Sequence, residues 1–445
     1  MVRLLGYFCC ALFLLITSLS CDSSEPPPIV PPPPDLRKIT LSVEDVSCTE
    51  VWLNIKADSL TFPSEIILLK DTVTQTINLC CSDTTLYIDS LLPNKPYNYK
   101  AILTADTTIK SETLTAQTLD TTSHNFFWQS WEFGEHSSSV LYDVAIIDEN
   151  NIWAVGEIYM NDSLGNPDPH AYNAAHWDGS QWELKKIMFP TVCGSVNRTS
   201  YPAKSIFAFQ DGEIWIGSSG DKIAILENGV QVSEFCLPSS LNMGINKIWG
   251  TSSEDLYVVG NGGNIAHYEN GVWTKIESGT ESNINDIWGD MLETTGEKKI
   301  LCAVSNIDGS GENKILQIMN DDNIAELYWP ADSCNTGCIV YSLWFRKKSK
   351  LYACGDGIWV MEKEGDWKEQ QGFLPYFKGS IRGNDVNDII CVGAFGFAAH
   401  YNGVQWTQLT EVPYSDVLGE ATIKEGLLVI AGFSGSKAKI TLGKR

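Results

Sequence analysis

Three of the six histidines in this 445-residue chain share one local context: Ala175-His176-Trp177, Ala266-His267-Tyr268 and Ala399-His400-Tyr401. Histidine titrates near neutral pH and serves as general base or metal ligand, so a converging trio would make a site. Each copy, however, sits in its own stretch of similar sequence, which makes the three equivalent parts of a scaffold. Carboxylates offer a second chemistry, since paired acids cleave glycosidic bonds; the 55 Asp and Glu are spread so widely that no spacing singles out a pair. Cys334-Asn335-Thr336-Gly337-Cys338 could close a small loop, or hold zinc with another close pair, but no second pair at zinc-ribbon spacing is present. Asp308-Gly309-Ser310-Gly311-Glu312 lacks the alternating acids of a calcium loop and reads as a polar turn. Gly-x-Ser-x-Gly, His-Glu-x-x-His and phosphate-loop patterns are absent. The chain therefore reads as a non-enzyme, with no metal and no cofactor.

The elements that would position any site are repeated. Ile245 to Ile276, INKIWGTSSEDLYVVGNGGNIAHYENGVWTKI, contains an opening strand, a strand ending in Gly, a strand ending His-aromatic-x-x-Gly and a Trp-bearing strand. The second-strand core recurs at Ile152–Gly156, Ile214–Gly217, Leu256–Gly260, Leu301–Ser305, Leu351–Gly355, Ile389–Gly393 and Leu428–Gly432. Residues 125–445 shared among these seven units give about 46 residues each, the length of a four-stranded propeller blade. The last unit has no Trp-bearing fourth strand, while Asn125–Glu135 (NFFWQSWEFGE) is a spare aromatic strand ahead of the first. It would complete the last blade and close the ring, leaving no open sheet edge.

The array resembles the secreted bacterial propellers grouped with the Asp-box and sialidase-like families. It departs from them in lacking the Ser-x-Asp-x-Gly-x-x-Trp box, which only Asp178-Gly179-Ser180-Gln181-Trp182 approaches. Sialidase chemistry would need an arginine cluster, and residues 125–445 contain only Arg198, Arg346, Arg382 and Arg445. Insertions at Glu157–Asn173, Pro190–Ala203, Asn306–Asn313 and Pro330–Cys338 all fall between second and third strands or between successive units, which places them on one face; Asp290–Lys298 falls opposite. Insertions gathered on one face mark a binding surface, with Tyr172, Arg198 and Tyr201 as contacts. Arg382 is a fourth candidate, because it occupies the position held by Trp249 and Trp288 in their own units.

Residues 36–120 hold seven short strand-like runs separated by turn signals, the spacing of an immunoglobulin-like sandwich. Leu91-Leu92-Pro93-Asn94-Lys95-Pro96-Tyr97 resembles the fibronectin type III signature, which implies a tyrosine corner at Tyr97 and a core tryptophan at Trp52. The expected fold is thus all-β, a fibronectin type III-like β-sandwich followed by a seven-bladed β-propeller over 125–445, closed by strand 125–135. Of the cysteines, Cys302, Cys354 and Cys391 lie in apolar strand-like runs and read as buried thiols, leaving one or two loop disulfides at most.

Ahead of the sandwich, Arg3 and the apolar run Leu4–Ile16 read as an export signal over residues 1–20, too short to span a bilayer. The sequence ending at Cys21 resembles the lipobox of bacterial lipoproteins, with Ser18 standing where such boxes carry Leu; this implies lipidation of Cys21. Residues 21–35, which include PPPIVPPPP, would form a stiff extended spacer. Asp-Ser or Asp-Thr pairs at Asp58, Asp71, Asp83, Asp89, Asp106, Asp120 and Asp162 resemble the O-glycosylation motif of Bacteroidetes. A net charge of −24 repels phosphate backbones and excludes nucleic acid as a partner. The whole reads as an exported protein, lipid-anchored at the outer membrane or cell surface, whose propeller binds a protein or glycan. Two alternatives remain open: a glycan-processing enzyme acting at the propeller mouth, and a scaffold subunit of an envelope complex.

Overall fold

The computed structural model describes residues 36–291, 298–330, 338–346, 350–363, 365–413 and 415–445. The export signal, Cys21, the proline spacer, Cys334 and most of the insertions Pro330–Cys338 and Asp290–Lys298 lie outside these residues. Every regular element longer than one 3-10 turn is a β-strand among the described residues.

The first seven strands form two facing sheets. Lys38–Val46, Val51–Asp58 and Asp83–Ile88 make one, and Ser64–Lys70, Val73–Leu79, Pro96–Leu103 and Leu114–Gln117 the other. Alternation along Val51–Asp58 buries Val51, Leu53, Ile55 and Ala57 against Ile66, Leu68, Tyr99 and Ala101. The Tyr97 hydroxyl accepts a hydrogen bond from the Leu92 amide at 2.9 Å. Trp52 is corrected by the structure. It is buried, but its cross-strand partner is Tyr87, with ring centroids 5.3 Å apart, and it is not in the core between the sheets. The alternation that turns Leu53 inward turns Trp52 to the other face.

From Phe127 onward the chain builds a β-propeller of four-stranded antiparallel sheets. The inner strands are Val140–Asp148, Ala203–Ala208, Ile245–Ser252, Ile284–Met291, Val340–Arg346, Lys378–Asp385 and Asp416–Lys424, and each heads one sheet. Each inner strand packs against the next, and Asp416–Lys424 packs against Val140–Asp148, so the array is a closed ring. Strand Phe127–Phe133 pairs with Lys437–Lys444 as the outermost strand of the last sheet, Phe133 opposite Ala438 and Phe127 opposite Lys444. Apolar clusters fill the wedges between neighbouring sheets, for example Trp249, Val259, Ile265, Ile287 and Cys302.

The two parts meet through a buried contact. Lys350 Nζ lies 2.7 Å from Glu50 Oε1, at side-chain exposures of 4% and 8%. Asn387 Nδ2 donates to the Asp120 carbonyl at 2.7 Å, and Thr122 N donates to that of Asn402. Cys48 packs so closely on Gly403 that a Cβ there would stand 2.2 Å from its sulfur. The described disulfide between two described cysteines is Cys193–Cys236, which ties the insertion before the second propeller sheet to that sheet's outer strand. Cys302, Cys354 and Cys391 are buried thiols.

Candidate functional site

Every inner strand of the propeller carries a β-bulge at the same repeat position, near its start. In the first sheet, Gly156 pairs with Leu141 and Val155 with Asp143, so Tyr142 is skipped. The same slip skips Lys204, Asn246, Asn285, Tyr341, Gly379 and Gly419. A bulge inserts an unpaired residue, bends its strand and re-aims a side chain. Here the seven skipped residues all line one cavity of about 360 Å³ at the end of the ring axis where the insertions collect. The repeated second-strand glycine has the same origin. A Cβ on Gly156 would stand 2.1 Å from the Val140 carbonyl oxygen, and one on Gly393 2.1 Å from that of Phe377. Only a residue without a side chain admits this close approach.

One residue further along, each inner strand supplies a second layer: Asp143, Ser205, Lys247, Asp286, Ser342, Ser380 and Glu420, all buried. These side chains stitch the ring together. Asp143 Oδ2 accepts from the Ile206 amide at 2.9 Å, Ser205 Oγ from Ile248 at 3.0 Å, Asp286 Oδ2 from Leu343 at 3.0 Å and Ser342 Oγ from Ile381 at 3.2 Å. Each bond joins one sheet to the next.

The charges in this layer are matched. Lys247 Nζ lies 2.8 Å from Asp143 Oδ1 and 2.9 Å from Glu420 Oε2. Arg382, from the layer below, takes Asp286 through Nη2 to Oδ1 at 2.7 Å and Nη1 to Oδ2 at 2.8 Å, and its guanidinium sits 5.4 Å from the Trp288 ring centre. Burial opposes ionisation of Asp286, but Arg382 outweighs it and holds the carboxyl below its usual range. Burial likewise works against the charge of Lys247, and Asp143 and Glu420 overcome it and raise its proton affinity. Asp286 is held ionised and its oxygens are occupied, the reverse of a carboxyl poised to donate a proton.

The structure separates the residues singled out from sequence. Tyr172 lies under Lys186, 4.6 Å from ring centre to Nζ, and Lys186 pairs with Asp168 at 2.6 Å. Tyr201 donates its hydroxyl proton to the Thr191 carbonyl at 3.0 Å, and Arg198 is paired with Glu234 on the exposed flank. Asn173 Nδ2 donates to the Tyr201 carbonyl at 2.8 Å, so Tyr172 and Tyr201 sit on adjoining segments beside the mouth. None of these three lines the cavity. Arg382 is 5% exposed, in the channel rather than on a surface, and the pairing with Asp286 accounts for a guanidinium where other units carry tryptophan.

The mouth residues were not singled out from sequence. Tyr142 donates its hydroxyl to Glu157 Oε1 at 2.9 Å, and Lys204 Nζ stands 4.4 Å from the centre of the Tyr142 ring. Lys204 makes no ion pair among the described residues, and burial pushes its proton affinity down. Asn246 Nδ2 bonds Asn261 Oδ1 and the Ile284 carbonyl, and the Gly262 amide donates to Asn283 Oδ1. Gly379 and Gly419 leave one side of the mouth without side chains.

The three repeated histidines lie on third strands and none lines the channel. His176 Nε2 donates to Asn151 Oδ1 at 3.0 Å, His267 lies 3.1 Å from Asp255 and 2.7 Å from Asp321, and His400 lies 2.9 Å from Asp388 and 2.8 Å from His124. Burial lowers the proton affinity of His400 more than Asp388 restores it. At His267 burial acts in the same direction, but the two aspartates prevail and raise it. The linkage signs are opposite. His267 contributes stability below the unfolded histidine pKa of about 6.5 that is lost as pH rises through its folded value. His400 binds fewer protons folded than unfolded, so its contribution is present above about 6.5 and falls as the solution is acidified. We expect His267→Gln to cost more stability near pH 5.5 than near pH 8, and His400→Gln to show the opposite order, in urea melts at about those two pH values.

The closed ring of radial four-stranded sheets defines the chain as a β-propeller protein. No protein-family model matches the sequence, and no curated protein does. Among solved structures, the chain is similar to Ycf48 bound to a D1 peptide (TM-score 0.51, 15% identity, covering 72% of this chain and 97% of that one). It is also similar to the WD40 β-propeller domain of Doa1 (TM-score 0.50, 14% identity, 71% of this chain and 97% of that one). At these identities the likeness is one of fold.

Proposed function

We propose that this chain is a non-catalytic protein-binding module of the cell envelope, and that its partner docks on the end of the propeller where the bulge residues and the insertions meet. In this reading residues 1–20 are an export signal, Cys21 carries the lipid and residues 21–35 are the spacer. A fibronectin type III-like module over 36–120 is then buttressed by Lys350 and Glu50 against a seven-bladed ring over 125–445. The observation that carries the reading is the mouth itself: an open cavity of about 360 Å³ lined by seven re-aimed residues, above acids that are already neutralised. A hydrolase would need an acid held protonated beside a second free carboxylate, and Asp286 is held the other way. That a propeller of similar fold has been solved with a peptide bound supports a peptide or protein ligand over a sugar.

The test is selection of peptides from a random display library by the purified chain, run beside a glycan array with assay for released sugar. Enriched peptides that are lost on Tyr142→Ala are expected; sugar release, or glycan binding with no peptide selected, would contradict the proposal. For the anchor, Cys21→Ser should move the chain from the detergent to the aqueous phase in phase partition, and retention in detergent would refute lipidation.

A further inference from the structure

The mouth is rich in hydrogen-bond donors that the protein itself does not use. Asn261 Oδ1 and Asn283 Oδ1 are occupied, which orients both amide groups and leaves their NH2 hydrogens without a partner among the described bonds. Tyr341 lines the same cavity, its ring edge-on to Phe377 at 5.0 Å, and its hydroxyl makes no described hydrogen bond. Lys204 is the cation among the seven bulge residues of the mouth. The cations beneath it, Lys247 in the second layer and Arg382 in the layer below that, are each consumed by carboxylates within 2.9 Å. The half-buried Lys204 ammonium is held over an aromatic face and makes no ion pair among the described residues; Asp143 and Glu420 act on it from the layer beneath, where both are already engaged by Lys247.

The opposite side of the mouth is equally specific. Gly379 and Gly419 occupy the two bulge positions next to one another, and a Cβ on Gly379 would stand 3.2 Å from the Gly419 carbonyl oxygen. Two adjacent glycines open a gap in which a guest chain reaches main-chain atoms directly. Donors and a cation on one wall, with bare backbone on the other, match an extended peptide that brings an anionic end or side chain.

Resting on the protein-binding reading above, we propose that the mouth is a carboxylate-recognition site for a peptide segment. The Lys204 ammonium takes the carboxylate, the free amide hydrogens of Asn261 and Asn283 and the Tyr341 hydroxyl donate to the adjoining carbonyls, and the Gly379–Gly419 gap admits the chain. Binding and protonation are then linked: burial and Lys247 oppose the charge of Lys204, Asp143 and Glu420 favour it, and a bound carboxylate adds to them, so affinity declines in alkaline solution as the free lysine deprotonates.

The probe is an array of short random-sequence peptides, each synthesised with a free C-terminal carboxylate and as the C-terminal amide, and each with its Asp and Glu intact or replaced by Asn and Gln. On the full chain we expect the carboxylate form of a retained peptide to bind about tenfold tighter or more than its neutral form, the value of one charge-assisted hydrogen bond in a desolvated site. Which pair of forms differs tells whether a chain terminus or an acidic side chain is recognised. Lys204→Met should abolish the difference and Lys204→Arg should keep it, with near-ultraviolet circular dichroism confirming that each variant is folded. Equal binding of acid and neutral forms would overturn the carboxylate site while leaving the protein-binding reading intact, as would a preference that survives Lys204→Met. Retention of no peptide at all would overturn both.

Discussion

Arg382→Met should destabilise the chain by about 3–5 kcal/mol, because it leaves Asp286 charged and buried without its bidentate partner. The size of the effect follows from what remains around that carboxylate. The Ser342 hydroxyl and the Leu343 amide still donate to Oδ2, and Lys247 is engaged by Asp143 and Glu420. None of these replaces a guanidinium. Two hydrogen bonds to neutral donors do not offset the desolvation of an ion in a closed channel. The loss should therefore shrink when the charge is removed too: Arg382→Met with Asp286→Asn keeps the inter-sheet bond from Leu343 and should recover most of the stability. Urea denaturation of the two variants measures this. Equal stability of Arg382→Met and the parent would mean that the charged layer is not what closes the ring.

Lys350→Met is expected to be nearly as costly, about 3–5 kcal/mol, for a related reason at a different place. Glu50 is buried between the sandwich and the propeller, held by Lys350 at 2.7 Å and by the Ser47 hydroxyl. Without the lysine its charge can be solvated only by separating the two parts. The variant should then unfold in two steps, the sandwich losing its support first, where the parent unfolds in one. Glu50→Gln with Lys350→Met should restore a single transition. Differential scanning calorimetry distinguishes one peak from two; a single unshifted peak for Lys350→Met would show that the contact carries no coupling.

Much of the ring was legible in the sequence because a repeated sheet repeats its chemistry. The second-strand glycines, the His-aromatic pairs and the spare strand over 125–135 ahead of the first unit all stand out as recurring or missing parts. The mouth was not legible, and the reason is physical. The bulge position holds Tyr142, Lys204, Asn246, Asn285, Tyr341, Gly379 and Gly419, and the layer beneath it holds acids, serines and a lysine. A site built from one residue per sheet has no reason to repeat a residue type, so the positions carrying function are the ones that repeat least. The bulge also breaks the two-residue alternation from which inward-facing residues are read. A trace of it was present in the second-strand glycines, whose missing side chain makes room for the carbonyl just before the bulge. Tyr172, Arg198 and Tyr201 were chosen from the insertions and none lines the cavity, Arg198 lying on the exposed flank, since insertion length marks a face but not a cavity. Arg382 stood out as a break in the tryptophan pattern; its partner Asp286 is 96 residues away in sequence, and only the closed ring brings them together. Trp52 was misplaced because a signature fixes strand order more firmly than which face of a strand is covered by a neighbouring domain.

Under the proposed function a protein partner sits on the mouth end of the ring. Ile307 is 63% exposed at the rim of the mouth, and Glu254 is exposed on a turn between first and second strands at the opposite end. A photo-crosslinking amino acid placed at each position in turn, in otherwise native cells, reads out both ends in one experiment. Covalent protein adducts from position 307 that disappear on Tyr142→Ala, with none from position 254, are the expected result; adducts from position 254 alone would contradict the account.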